Sequence, residues 1–253
     1  MENIRDLLNL NLLSQSFTEN KYDTFSVEKA REIAKIYTGI EGGISVLSDM
    51  KSKKSYVRYG ASVNKLGLAE KEVTIDSIWE DELLNLLHPD DLKKKYRLEL
   101  HFFRLLKAMD IQDRTGFEAI SKLRARGVEG KEEVLKHRII YIGSLENGDI
   151  WLALCLYSIL IAHPGFDAPD AVILNTITGN IINHTQEQDA EVLSEREQQI
   201  IRLIKGGNRS KDIATKLSIS IHTVNRHRQN IFEKLNATNA MEACKIAEAA
   251  GII

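Results

Sequence analysis

Apolar positions set the first expectations. From Asn3 to Leu13, Ile4, Leu7 and Leu8 recur at three- and four-residue intervals, and from Val27 to Tyr37 the same holds for Val27, Ala30, Ile33, Ala34 and Tyr37. That period predicts two amphipathic helices. The pattern then shortens. Gly42–Asp49 and Ser55–Gly60 are β-prone, and the polar stretch from Met50 to Lys54 suits a hairpin turn. Residues 75–127 read as helices, with the run Asp81–Leu87 stopping before His88-Pro89, where proline blocks continuation. Val134–Gly143 and Asp149–Ile161 are apolar on both alternating faces, and the Asn147-Gly148 pair between them signals a tight hairpin. Asn180–Asn183 adds a short edge strand.

A strand pair, several helices, then a further hairpin and an edge strand predict one antiparallel sheet with helices packed on one face, an α+β domain over residues 1–183. The polar segment 184–192, HTQEQDAEV, reads as a linker. Residues 193–253 form a separate all-α domain of four helices. Ser194-Glu195-Arg196-Glu197 has capping-box spacing, and the helix it opens buries Ile200, Ile201 and Ile204 before stopping at Gly206-Gly207. Ser210 is the expected cap of a second helix burying Ile213, Ala214 and Leu217, and Ser220 caps a third. Two short helices joined this tightly predict a helix-turn-helix. Asn239 with Glu242 opens a fourth.

The third helix has two distinct faces. Advancing about 100° per residue from Val224 gathers Ile231 and Leu235 on one side, with Arg228 at its edge. The other side carries His222, Asn225, Arg226 and Gln229. Arg, Asn and Gln form bidentate hydrogen bonds to guanine and adenine edges, and a helix about 10–12 Å across fits a major groove about 12 Å wide. His222, Asn225, Arg226 and Gln229 are therefore the candidate base readers of double-stranded DNA. Ser220, Thr223, Arg228, Asn230 and Lys234 are the candidate phosphate contacts, which fix register without reading sequence. Glu233 is expected beyond the groove or paired with a base such as Lys234.

Charge supports this placement. The formal net charge is -2, yet residues 191–253 hold ten Lys and Arg against seven Asp and Glu, while residues 1–190 are acidic on balance. The longest nearly uncharged run, Ile150–His163, falls short of the roughly 18 apolar residues a bilayer span needs, and the start of the chain lacks a basic region followed by an apolar core. A cytoplasmic protein without membrane association is expected. Cys155 and Cys244 stand far apart without metal-ligand spacing around them, so neither a disulfide framework nor a structural metal is expected.

Residues 193–253 resemble the LuxR/GerE-type DNA-binding domain. The resemblance rests on LSEREQQII, the GG after the first helix, DIATKLSIS, TVNRHRQNIFEKL and AMEACKIAEAAGII, at the right mutual spacing. Glu197, Thr223, Val224, His227, Lys234 and Leu235 stand at the family's recurring positions. Asn225 stands where lysine is frequent, Asn236 where glycine usually ends the recognition helix, and Thr238 and Ala240 where basic residues are frequent. The resemblance implies entry of the third helix into the major groove. It also implies a two-fold homodimer contact through the small residues Ala240, Ala243, Cys244 and Ala247 of the fourth. Residues 35–183 resemble the PAS-type sensor fold in element order and in the His88-Pro89-Asp90-Asp91 turn, which implies a small-molecule or protein effector.

Other features carry less. Glu197 either completes its capping box or bridges to the third helix. His227 is expected packed and hydrogen-bonded, Lys51, Lys53 and Lys54 solvate a hairpin tip, and His137, Tyr141, Trp151 and Tyr157 are core residues that could also line a cavity. Asp49 lacks the upstream acidic pair of a phosphoacceptor site. No phosphate loop, nucleophile elbow or zinc-protease motif is present, and neither enzyme activity nor a cofactor is expected. A DNA-binding transcription regulator is the leading expectation, and an adaptor whose C-terminal helices bind a protein is the alternative.

Overall fold

The computed structural model describes residues 2–18, 26–114, 116–160, 169–183, 193–235, 237–250 and 252–253. The predicted linker 184–192 and Asn236 lie outside them. Two compact units result, one of Asn11–His184, the other of Met1–Leu10 with Thr185–Ile253. Helix α1 (Glu2–Leu13) buries Ile4, Leu7, Leu8 and Leu12, as its period predicts.

The first unit is an antiparallel sheet. Its strands are β1 (Ile44–Asp49), β2 (Lys54–Tyr59), β3 (Lys71–Ile75), β4 (Phe117–Arg126), β5 (Glu132–Ser144), β6 (Ile150–Ile159), β7 (Ala171–Asn175) and β8 (Ile181–Asn183), in the order β3-β2-β1-β6-β5-β4-β7-β8. The β1–β2 hairpin closes on Asp49, whose carboxylate accepts the amides of Lys51 (3.0 Å) and Ser52 (3.1 Å) and the Ser52 hydroxyl (2.6 Å). Asp49 is thus a turn residue. Asn147 does the same work between β5 and β6, accepting the Asp149 amide at 3.0 Å beside Gly148 at φ +83°.

Helices cover both faces of the sheet, not one. Helix α2 (Val27–Glu41) lays Ala30 and Ala34 on Leu47, Leu154 and Leu156, and the Thr38 and Ser45 hydroxyls meet at 2.6 Å. Side chains alternate along a strand, so Cys155, Tyr157 and His137 point to the opposite face. There α4 (Pro89–Lys107) brings Glu99 within 3.5 Å of His137. Both faces being covered explains why β1 is buried at every position.

Residues 75–127 are not all helical. After the four-residue α3 (Asp81–Leu84) and α4, the chain returns as β4, whose inward residues Ala119, Ser121, Leu123 and Ala125 alternate with Ile120, Lys122 and Arg124. The His88-Pro89-Asp90-Asp91 turn opens α4. His88 Nδ1 accepts the Asp90 amide at 3.4 Å, and Asp91 accepts the Arg124 amide (2.9 Å), Nε (2.8 Å) and Nη2 (2.8 Å), tying the helix start to β4. Burial works against the Asp91 carboxylate, but these bonds outweigh it and hold its pKa below the ordinary value. No helix of the described residues is long and apolar enough to cross a membrane.

Candidate nucleic-acid interface

Four helices of the second unit shape the site: α5 (Glu195–Lys205), α6 (Ser210–Leu217), α7 (Ile221–Leu235) and α8 (Ala240–Ala249). Ser194 Oγ accepts the Glu197 amide at 3.3 Å while Glu197 accepts the Ser194 amide at 2.8 Å, completing the capping box. Helix α5 ends at Gly206-Gly207, where Gly207 takes φ +77°. Ile200 and Ile201 are buried, whereas Ile204 is only partly so.

Helix α6 departs from expectation at its start. Ser210 is its first residue, and the Asp212 carboxylate, not a serine hydroxyl, stabilises the entry by accepting the Arg209 amide at 3.1 Å. Ile213 and Ala214 are buried and Leu217 half-buried. Arg196 Nη2 reaches the Leu217 carbonyl at 2.9 Å, linking α5 to the end of α6. The turn is Ser218-Ile219-Ser220. Ser218 sits at φ 53°, ψ 45°, and Ser220 Oγ accepts the Thr223 amide at 3.0 Å to cap α7.

Helix α7 buries Val224, Ile231 and Leu235. His222, Asn225, Arg226 and Gln229 are exposed, and among the described residues no side-chain hydrogen bond engages them. The four candidate readers thus lie on the solvent side of a helix whose other side is core. The candidate phosphate contacts are less uniform. Thr223 and Asn230 are half-buried beside that face, and the Thr223 hydroxyl shares a 2.8 Å hydrogen bond with Ser220. Arg228 is half-buried with its guanidinium 5.8 Å from the Phe232 ring centre.

Lys234 is already engaged. Its ammonium donates to Glu197 Oε2 at 2.7 Å, so Glu197 serves both its box and the bridge to the third helix. Burial pushes the Glu197 carboxyl up, but Lys234 and the Ser194 amide outweigh it and hold its pKa below the ordinary range. Glu233 is exposed and does not take Lys234 as its partner. His227 is partly buried, and its Nδ1 lacks the hydrogen bond expected for it among the described residues.

On α8, Asn239 Oδ1 accepts the Glu242 amide at 3.0 Å, while Glu242 reaches back to Thr238 rather than to Asn239. Ala243 and Ala247 are 1% and 0% exposed inside their own unit. Their small side chains let α8 pack closely on α5 and α7 and leave no area for a second copy. Ala240 and Cys244 are half-buried, and Met241 is 71% exposed.

Residues 191–247 match the model of bacterial regulatory proteins, luxR family. The C-terminal segment therefore carries a luxR-family domain. Over 66 residues the chain is 44% identical to the uncharacterized transcriptional regulatory protein YvfU of Bacillus subtilis, covering 26% of this chain and 33% of that protein. Over 98 residues it is 30% identical to the oxygen regulatory protein NreC of Staphylococcus haemolyticus, covering 36% and 45%. The chain thus spans less than half the length of these two relatives. Among solved structures, the phage VqmA–DPO complex is similar at 17% identity, with 88% of each chain covered and a TM-score of 0.29.

Proposed function

We propose that this chain regulates transcription by binding double-stranded DNA, with α7 of the luxR-family domain in the major groove. The observation that carries the reading is the exposed and unengaged set His222, Asn225, Arg226 and Gln229, opposite the buried Val224, Ile231 and Leu235. An outward helix face that spends four hydrogen-bonding side chains on solvent is an apt reader of base edges. Arg226 and Gln229 make the bidentate contacts, Asn225 and His222 add to them, and Ser220, Thr223, Arg228 and Asn230 hold the backbone.

We further propose that residues 35–183 act as a PAS-like sensor for a small-molecule or protein effector, and that the protein works as a homodimer in the cytoplasm. Support for the sensor comes from the element order, a strand pair followed by helices and a longer antiparallel set, and from the His88-Pro89-Asp90-Asp91 turn. For dimerisation, α8 offers Ala240, Met241 and Cys244 in place of the buried alanines.

Selection of genomic fragments by the purified chain tests the central reading. A retained, recurrent sequence whose binding weakens steeply between 50 and 200 mM salt is expected, because cations on phosphates release counterions. Salt-insensitive retention of a protein, with no DNA retained, would favour the adaptor.

A further inference from the structure

The interior of the sheet unit holds a group of side chains that DNA binding does not use. Glu99 of α4, His137 of β5 and Cys155 of β6 are all buried, and one potential ligand atom from each lies within 4.8 Å of the others. The sheet register creates the group. Ile139 pairs with Cys155 and His137 with Tyr157, so His137 and Cys155 point to the same face, towards α4.

Two polar atoms there make no hydrogen bond among the described residues: His137 Nε2, which faces Glu99 Oε1 at 3.5 Å, and the Tyr141 hydroxyl. His137 is 0% exposed, and its other nitrogen meets Ser121 Oγ at 3.0 Å. A histidine fixed through Nδ1, with Nε2 turned towards a carboxylate and a thiol, is oriented as metal-ligating imidazoles are. Tyr141 lines a cavity of about 20 Å³ together with Glu80, Lys95, Glu99 and Cys155. That volume accepts one water, which needs about 10–15 Å³, and is far below what an organic ligand fills.

We propose that Glu99, His137 and Cys155 bind a thiophilic divalent cation of the zinc class, with a water from the adjoining cavity as fourth ligand. One nitrogen, one sulfur and one carboxylate oxygen are a donor set that zinc and cobalt accept in four-coordinate geometry. Binding forms the metal–sulfur bond as the Cys155 thiol releases its proton to solvent. The Lys95 ammonium, 2.7 Å from Glu99 Oε1, is the charge that opposes the cation. Glu80, which accepts the Tyr157 hydroxyl, and Glu99 offset it. Two carboxylates, one thiolate and one ammonium leave two negative charges, which a divalent ion neutralises. Lys95 Nζ at 2.7 Å and His137 Nε2 at 3.5 Å face the same oxygen, Glu99 Oε1, so the metal takes that oxygen in place of the ammonium. The site lies wholly within the sheet unit and does not depend on how α7 is read.

Titrating the metal-free full chain with Co²⁺ tests it. One Co²⁺ per chain is expected, with a thiolate-to-cobalt charge-transfer band in the near ultraviolet and the visible bands of four-coordinate cobalt, both bleached by Zn²⁺. Cys155→Ser removes the charge-transfer band, Glu99→Gln and His137→Ala weaken binding at least about tenfold, and Cys244→Ser changes nothing. Absence of the band in the unaltered chain overturns the site whatever the variants do. So does a band that survives Cys155→Ser.

Discussion

The Lys234 ammonium and the Ser194 amide converge on a single atom, Glu197 Oε2, at 2.7 and 2.8 Å. One carboxylate oxygen thereby joins the start of α5 to the last turn of α7. Replacing Glu197 with Ala removes the side-chain half of the capping box and strands the Ser194 amide. It should cost the C-terminal unit about 1–3 kcal/mol, read by thermal or denaturant unfolding.

The same carboxylate sets a pH dependence. Its pKa is lowered in the folded state, so its contribution is complete above the unfolded value of about 4.3 and is lost as pH falls through the lower folded value. Unfolding of Glu197→Gln should show a flatter profile than the unaltered chain below that pH. Equal acid slopes in the two would remove the assignment.

Base reading and backbone contact separate by mutation. Arg226→Ala and Gln229→Ala should each relax preference at one position of the selected site, by about 1–3 kcal/mol of discrimination. Arg228→Gln should weaken all sequences alike and reduce the logarithmic salt slope by about 0.9. Lys234→Gln should leave that slope unchanged, because its ammonium is held by Glu197.

Helix α8 offers a contrast between neighbours. Ala247→Glu places a charge at a position with no exposure and should unfold the C-terminal unit, whereas Met241→Glu, at 71% exposure, should leave folding intact. If α8 pairs two copies on DNA, Met241→Glu weakens cooperative binding to a two-fold site while preserving binding to a half-site, as gel-shift titration would display.

The buried Lys95–Glu99 pair gives a stability test. Burial works against the Lys95 ammonium, but Glu99 and Glu80 outweigh it and hold it charged. Lys95→Met leaves Glu99 uncompensated and should cost about 3–5 kcal/mol in the presence of a chelator. Adding Glu99→Met should recover most of that loss.

Much of the fold is legible where periodicity and turn chemistry agree. The β1–β2 hairpin, the Asn147-Gly148 turn, the Ser194 capping box and the Ser220 cap are local signals, and local contacts realise them. Strand β4 is illegible for a physical reason. Three of its four inward positions are small or polar, Ala119, Ser121 and Ala125 beside Leu123, and its outward ones include Lys122 and Arg124, residues that also suit a helix. The outer face of α7 follows from the 3.6-residue period alone. That Lys234 is occupied does not, because its partner lies 37 residues away. A stripe of alanines is ambiguous by nature, since small side chains admit a close neighbour from the same chain or another. The buried Glu99, His137 and Cys155 come from three separate elements, and only the strand register together with the packing of α4 on the sheet brings them together.

Ser218 holds a left-handed backbone without being glycine, at φ 53°. Few residue types tolerate that geometry, and a β-branched one least of all. The pitch at which α7 leaves α6 is therefore governed by a single pivot, and a valine there would re-aim the whole probe while leaving every side chain on it untouched.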